Sequence, residues 1–297
     1  MRIPVLKIKL IYFITFVLTY VLPLIFYGSE FSLVLVLILY IFLPSYLLCK
    51  VLLIKKIFQN IFEAFHISAT VMFLLFILFS IPYKVFNISR VLPYIIATLA
   101  PLSLFIIDNY SIRENELITI KKNLKTLKLH MIFIFLSLSI LYLFLKNVPR
   151  LYTPDETSYV FHAQLFERYG VMPSVGVGPY SSTFSKYIVG RHIYSSYLYS
   201  IKFFTGVDPN RLHLAGILFV VLLASISLSI LYDVLRISNF KLSSLASLVV
   251  LSSPAILPWS ITALLDLPQA YFILVSIYFI LKSIKITQGL FNDIDLS

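Results

Sequence analysis

Eight apolar runs, each long enough or nearly long enough to cross a bilayer, leave this chain few ways to fold. They lie near 9–27, 31–54, 67–83, 91–107, 130–146, 212–232, 242–259 and 262–281. A spanning helix needs about 20 mostly apolar residues. With no water in the hydrocarbon to satisfy backbone groups, runs of this length must be helical. Composition agrees: charged residues make up 12% of the chain, against about 25% in soluble domains. The expected fold is all-α, a polytopic integral membrane protein with about eight transmembrane helices. A thirteen-residue apolar stretch at 193–205 is too short to cross at 1.5 Å per residue, and reads as an interfacial or partly inserted helix.

The formal net charge of +11 suggests nucleic acid only until the lysines are located. They cluster in connections between spans, where they set orientation; no nucleic-acid partner is expected. With the N-terminus in the cytoplasm, fifteen of the 24 Lys and Arg fall on cytoplasmic segments. Of the other nine, seven belong to one long segment, 147–211 with its flanking Lys146, and long loops count little in this rule. The chain is therefore expected in the cell membrane as a multi-pass protein, with loop 147–211 and the 260–267 turn on the extracytoplasmic face. Met1–Lys9 leads into the first run without a small-residue cleavage site and reads as an uncleaved first span. The lone cysteine, Cys49, lies within the second run and permits no intrachain disulfide.

Charges inside a bilayer are costly, so the thirteen acids are informative. Most stand at span ends or in loops and read as solvated. Glu63 and His66 have one-turn spacing, but nothing else suggests a metal there. Asp266 differs, in the segment Leu264-Leu265-Asp266-Leu267-Pro268 at the outer end of the last run. Pro268 disfavours helix at Leu267. A start at Pro268 would leave roughly 21 Å of helix before Lys282, short of a core about 30 Å thick. A start near Ile261 with a kink is expected, which sets Asp266 about one turn below the surface. It either caps a helix at headgroup level or lines an outward-facing cavity.

Residues 150–159 follow the fifth run directly. Thr153 suits an N-cap, Pro154 the first helical position and Glu156 the third, as in a capping box. That pattern accounts for Pro154 and Glu156 without chemistry, and for Asp155 only as an acid favoured by the helix dipole. The helix should run to about Tyr169, end at Gly170 and lie along the membrane surface. Lys186, Arg191 and His192 precede the short apolar stretch. Asp208-Pro209 repeats the cap-then-proline start, with Arg211 in the first turn against the dipole, where it needs a partner or a lipid phosphate. Acids beside cations just outside a bilayer suit group transfer. A carboxylate takes a proton from a hydroxyl nucleophile, and cations hold the phosphate of a lipid-linked donor.

The segment Thr153-Pro154-Asp155-Glu156, with Tyr159 and Ala163, resembles the first external loop of the GT-C superfamily of membrane glycosyltransferases. The branch it is most similar to is the protein O-mannosyltransferase and aminoarabinose lipid A transferase group. Further parallels are the aromatic apolar helix from Tyr194 to Phe204, the following Gly206, Arg211 opening a span, and Asp266 at the outer end of a later one. The resemblance covers roughly 145–282. It implies inverting transfer of a sugar, hexose or pentose, from a polyprenyl-phosphate donor to an acceptor hydroxyl on the extracytoplasmic face. Asp155 would be the catalytic base and Glu156 would help place the acceptor. Arg191, with His192 beside it, would contact phosphate. Arg211 and Asp266 would support the site near Tyr159. A divalent cation is compatible with this chemistry, although the residues form no evident ligand set.

Four spans precede the part that resembles the family, and the chain stops after what would be its fourth core span. This divides the chain into an N-terminal four-helix membrane block, 1–130, and a partial glycosyltransferase-like module, 131–297. It leaves open a fragment, a split enzyme completed by a second subunit, and an inactive relative. Besides the sugar donor and membrane lipids, a second subunit is therefore an expected partner. Two other readings stand beside the enzyme: a non-catalytic scaffold, and a transporter or lipid-handling protein. The last needs polar groups deep in several spans, where the sequence offers scattered Ser and Thr and no mid-span charge.

Overall fold

The computed structural model describes residues 14, 18, 21–85, 95–97, 99, 102–104, 117–146, 154–169, 188–235, 240–251 and 266–294. Among them there is helix and no strand. A single turn at Leu22–Ile25 precedes α1 (Glu30–Ile54). There follow α2 (Ile61–Val85), α3 (Leu117–Leu145), α4 (Pro154–Tyr169), α5 (Ile188–Thr205), α6 (Pro209–Val234), α7 (Phe240–Leu251) and α8 (Asp266–Ile294). Five stretches are long and apolar enough to cross a membrane: Glu30–Ile54, Ile61–Ile81, Lys125–Leu145, Pro209–Val234 and Asp266–Ile284. These correspond to the expected second, third, fifth, sixth and eighth spans. The third is longer than its hydropathy suggests. The fourth is represented by a shorter apolar helix, Ile95–Leu104, and the seventh by α7. Most of the first lies outside the described residues, as do 252–265, where the start near Ile261 and its kink were expected.

Local chemistry sets the boundaries. Ser29 caps α1, its hydroxyl accepting from the Ser32 amide at 3.3 Å. Midway along α1 the backbone loosens into a π-helical stretch, Leu37–Phe42, just before Pro44. Proline has no N–H to donate to the preceding turn, and a wider turn absorbs that defect. The Asn60 side chain caps α2 by accepting from the Phe62 amide at 2.8 Å. As the sequence predicts, α4 starts at Pro154 and runs to Tyr169. Asp208 accepts from the Asn210 amide at 2.7 Å, and Pro209 opens α6 in a tight 3₁₀ stretch through Gly216. α5 ends at Gly206, whose φ of +65° closes the helix while its N–H donates to the Lys202 carbonyl at 2.8 Å.

α6 is the hub. Ile217–Ser229 is apolar all round, and all its residues but Ser227 are buried, as expected for a helix enclosed on every side. α3, α7 and α8 pack directly on it. α1 and α2 form an antiparallel pair. The outward faces of α3 and α8 are apolar too: Ile132, Leu136, Leu143, Phe144, Ile273, Ile277 and Ile280 are exposed. In lipid such surface costs nothing, so close packing and interhelical hydrogen bonds hold the helices together.

The 193–205 stretch, expected as an interfacial or partly inserted helix, belongs to α5, an 18-residue helix whose Tyr194, Tyr197, Tyr199, Ile201 and Phe204 are buried against the rest of the protein. It crosses α2 steeply. Tyr197 meets Phe73 and Phe76, Ser200 meets Ser80, and Phe204, further along, returns to Phe76. The physical reason is aromatic bulk, and at Tyr197 a satisfied polar end: its hydroxyl donates to the Ala215 carbonyl at 2.8 Å inside the bundle.

Candidate functional site

Two sets of charged contacts mark opposite ends of the bundle. At one end Arg211 Nε lies 2.9 Å from Glu30 Oε1, and its Nη1 donates to the Lys146 carbonyl at 3.3 Å. This end joins the starts of α1 and α6 to the end of α3. Glu30 thus supplies the partner that Arg211 needs against the helix dipole, in place of a lipid phosphate. At the other end Lys282 Nζ reaches Asp233 Oδ2 at 2.8 Å and Glu63 Oε1 at 3.6 Å. The Tyr278 hydroxyl also donates to Asp233, at 2.8 Å. α6 carries Arg211 at its first end and Asp233 at its second. Lys282 of α8 sits beside Asp233, and Asp266 is sixteen residues away, roughly 24 Å along the helix. Asp266, which is exposed, therefore lies at the Arg211 end.

α4 and α5 lie side by side and parallel. Tyr159 packs edge-on to Tyr194 at 5.6 Å, and Phe166 to Tyr199 at 4.7 Å. Glu167 pairs with Lys202. These three contacts advance together along both helices and fix the register. Asp155 and Glu156 stand about one turn before Tyr159, and Arg191 and His192 just before Tyr194. The first turns of the two helices, one bearing two acids and the other an Arg and a His, are thereby adjacent. The side chains of 154–158 and 188–192 lie outside the described residues. Tyr159 is buried between the helices, so it positions α4 against α5.

A feature the sequence reading passed over runs through the middle of the bundle. His66 and His130 are both fully buried. The Ser229 hydroxyl donates to the Ser225 carbonyl at 2.8 Å. His66 Nε2 lies 2.8 Å from that hydroxyl's oxygen. The ring's Nδ1 lies within hydrogen-bond distance of the Tyr271 hydroxyl, at 3.2 Å. His130 Nε2 lies 2.8 Å from Ser225 Oγ, while its Nδ1 has no hydrogen-bond partner among the described residues. Phe65 stands edge-on between the two rings. This seam links α2, α3, α6 and α8. Its signal in the sequence was slight: His66 just before one apolar run, His130 at the start of another, and Ser225 and Ser229 one turn apart in a third. Among the described residues no group of three His, Cys, Asp or Glu is disposed to hold a metal; Glu63 is engaged by Lys282 and His66 by hydroxyls.

The chain matches no protein-family model, no curated protein and no solved structure.

Proposed function

We propose that this protein is a glycosyltransferase-like membrane enzyme, moving a sugar from a polyprenyl-phosphate donor to an acceptor hydroxyl at the membrane end that carries Arg211 and Asp266. The observation that supports this most is the register of α4 on α5. It sets Asp155 and Glu156 in the turn next to Arg191 and His192. Asp155 would take the proton of the acceptor hydroxyl as that oxygen attacks the anomeric carbon. Glu156 would orient the acceptor. Arg191 and His192 would hold the donor phosphate as the bond to the sugar breaks and charge collects on the leaving oxygen. Arg211 can add to this. Its described contacts engage two of a guanidinium's five N–H donors, and 41% of the side chain is exposed. Asp266 stands at the same end as a supporting carboxylate, and this face is the extracytoplasmic one by the lysine distribution.

The decisive measurement is transfer of labelled sugar from a polyprenyl-phosphate donor by membranes carrying the chain, with any partner subunit present. Asp155→Asn should lower the rate at least a hundredfold, the scale of a general base, without altering thermal stability. Undiminished transfer would remove Asp155 as the base.

The transport reading also gains a specific support, the buried His66–Ser229 and His130–Ser225 contacts. If the seam only joins helices, His130→Leu should alter stability and leave sugar transfer intact.

A further inference from the structure

Between the second half of α1 and the middle of α3 lies an open groove of about 300 Å³ with apolar walls, lined by Leu43, Tyr46, Met131, Ile132 and Phe135, with Lys128 at one end. We propose that this groove is a binding site for an anionic phospholipid. An acyl chain fills the cleft and the phosphate rests on Lys128.

Position along the membrane normal carries the first part of the argument. Lys128 is seventeen residues from Leu145 at the far end of the same span, roughly 26 Å at 1.5 Å per residue. In a core about 30 Å thick that puts its backbone near the opposite boundary. A short stretch of lysine stem then carries the ammonium to headgroup level. Met131, Ile132 and Phe135 lie one and two turns deeper, at the depth of acyl chains. On the facing wall the chain runs the other way, so Leu43 is deeper than Tyr46, and Lys50 follows Tyr46 by one turn toward the same boundary.

Charge carries the second part. Neither Leu43–Ile54 nor Leu117–Leu145 contains an Asp or Glu. The mouth is bordered by Lys50, Lys125 and Lys128, with Lys55 and Lys56 in the turn beyond. Lys128 is exposed and makes no ion pair among the described residues. At the same end of the bundle Lys282 is consumed by Asp233 and Glu63, whereas the ammonium of Lys128 lines the groove. Basic pockets between spans at a headgroup boundary are matched to anionic headgroups. A zwitterionic lipid fills the same cleft but brings its own cation to the lysine.

The test is lipid retention by the full-length protein, read by native mass spectrometry after extraction from vesicles of equal parts phosphatidylglycerol and phosphatidylcholine. Wild-type protein should retain phosphatidylglycerol about fivefold over phosphatidylcholine, the worth of one lysine near a headgroup. Lys128→Gln should abolish the preference while some lipid still binds. Ile132→Trp, which fills the cleft from a lipid-facing position, should reduce retention of both. Lys241→Gln, on α7 away from the groove, should change nothing. Equal retention of the two lipids by wild type, an undiminished preference in Lys128→Gln, or an equal loss in Lys241→Gln would each overturn the proposal.

Discussion

Removing Lys282 from the cluster it shares with Glu63 and Asp233 should reverse the sign of a second mutation. In the wild type one ammonium serves two carboxylates, at 2.8 and 3.6 Å, with all three side chains under one-fifth exposed. A charged hydrogen bond in such a site contributes about 1.5–3 kcal/mol. Lys282→Gln deletes that contact and leaves two largely buried carboxylates facing each other, with the Tyr278 hydroxyl on Asp233. We expect a loss of about 2–4 kcal/mol, approaching the cost of breaking a buried pair. Asp233→Asn in the wild type should cost less, about 1–2 kcal/mol, because Lys282 keeps Glu63. In the Lys282→Gln background the same substitution removes the like-charge repulsion and should be neutral or stabilising. The four proteins form a double-mutant cycle, to be measured by reversible unfolding in mixed micelles. If Asp233→Asn destabilises both backgrounds equally, the three charges are not coupled and the cluster is not what clamps α2, α6 and α8 together.

Other substitutions test separate contacts. A Cβ at Gly206 would run into the Tyr27 ring at a φ of +65°, so Gly206→Ala should cost about 2 kcal/mol or more in the same unfolding assay. Gly28→Ala, at φ +87° with open space around it, should cost only the backbone strain; equal losses would show that Tyr27 does not confine Gly206. Arg211→Gln should lower stability by about 1 kcal/mol at most, because its ion pair with Glu30 is well exposed, and the loss should shrink as salt is raised. In a Cys49→Ala background, a cysteine at Gly176 should react with an impermeant maleimide from outside. One at the exposed Ile57 should react only after permeabilisation; the opposite pattern would invert the assigned faces.

What the sequence made legible follows from how far each signal reaches. Apolar run length and capping chemistry are local, so the helix starts at Pro154 and at Asp208-Pro209 were read directly, while the caps at Ser29 and Asn60, the same chemistry, were passed over. The strength of α5's burial was hidden because mean hydropathy averages Tyr with Lys and Ser. Tyr194 and Tyr197 bury as completely as leucine once neighbouring helices surround the rings. The α4–α5 register was likewise out of reach, since it depends on which aromatic pairs meet across two helices. Arg211 finds Glu30, 181 positions away, and Lys282 finds Glu63, 219 away, besides Asp233; the sequence showed that Arg211 needed a partner without naming it.

The histidine seam shows why absence of mid-span charge was a poor guide to the interior. His66 has both ring nitrogens within hydrogen-bond distance of hydroxyls, Ser229 at 2.8 Å and Tyr271 at 3.2 Å. A neutral ring paired at both nitrogens is satisfied without charge, so the bilayer imposes little penalty on it. Polar function or polar adhesion can therefore be written into a span in His, Ser and Tyr, with no Asp, Glu, Lys or Arg to betray it. His130 separates those two uses. A purely adhesive histidine gains from having both nitrogens paired, whereas this one, between Phe62, Phe65 and Phe133, has one nitrogen bonded to Ser225 and the other without a partner among the described residues. Of all the seam's members it is the one whose chemistry is not exhausted by holding α3 to α6.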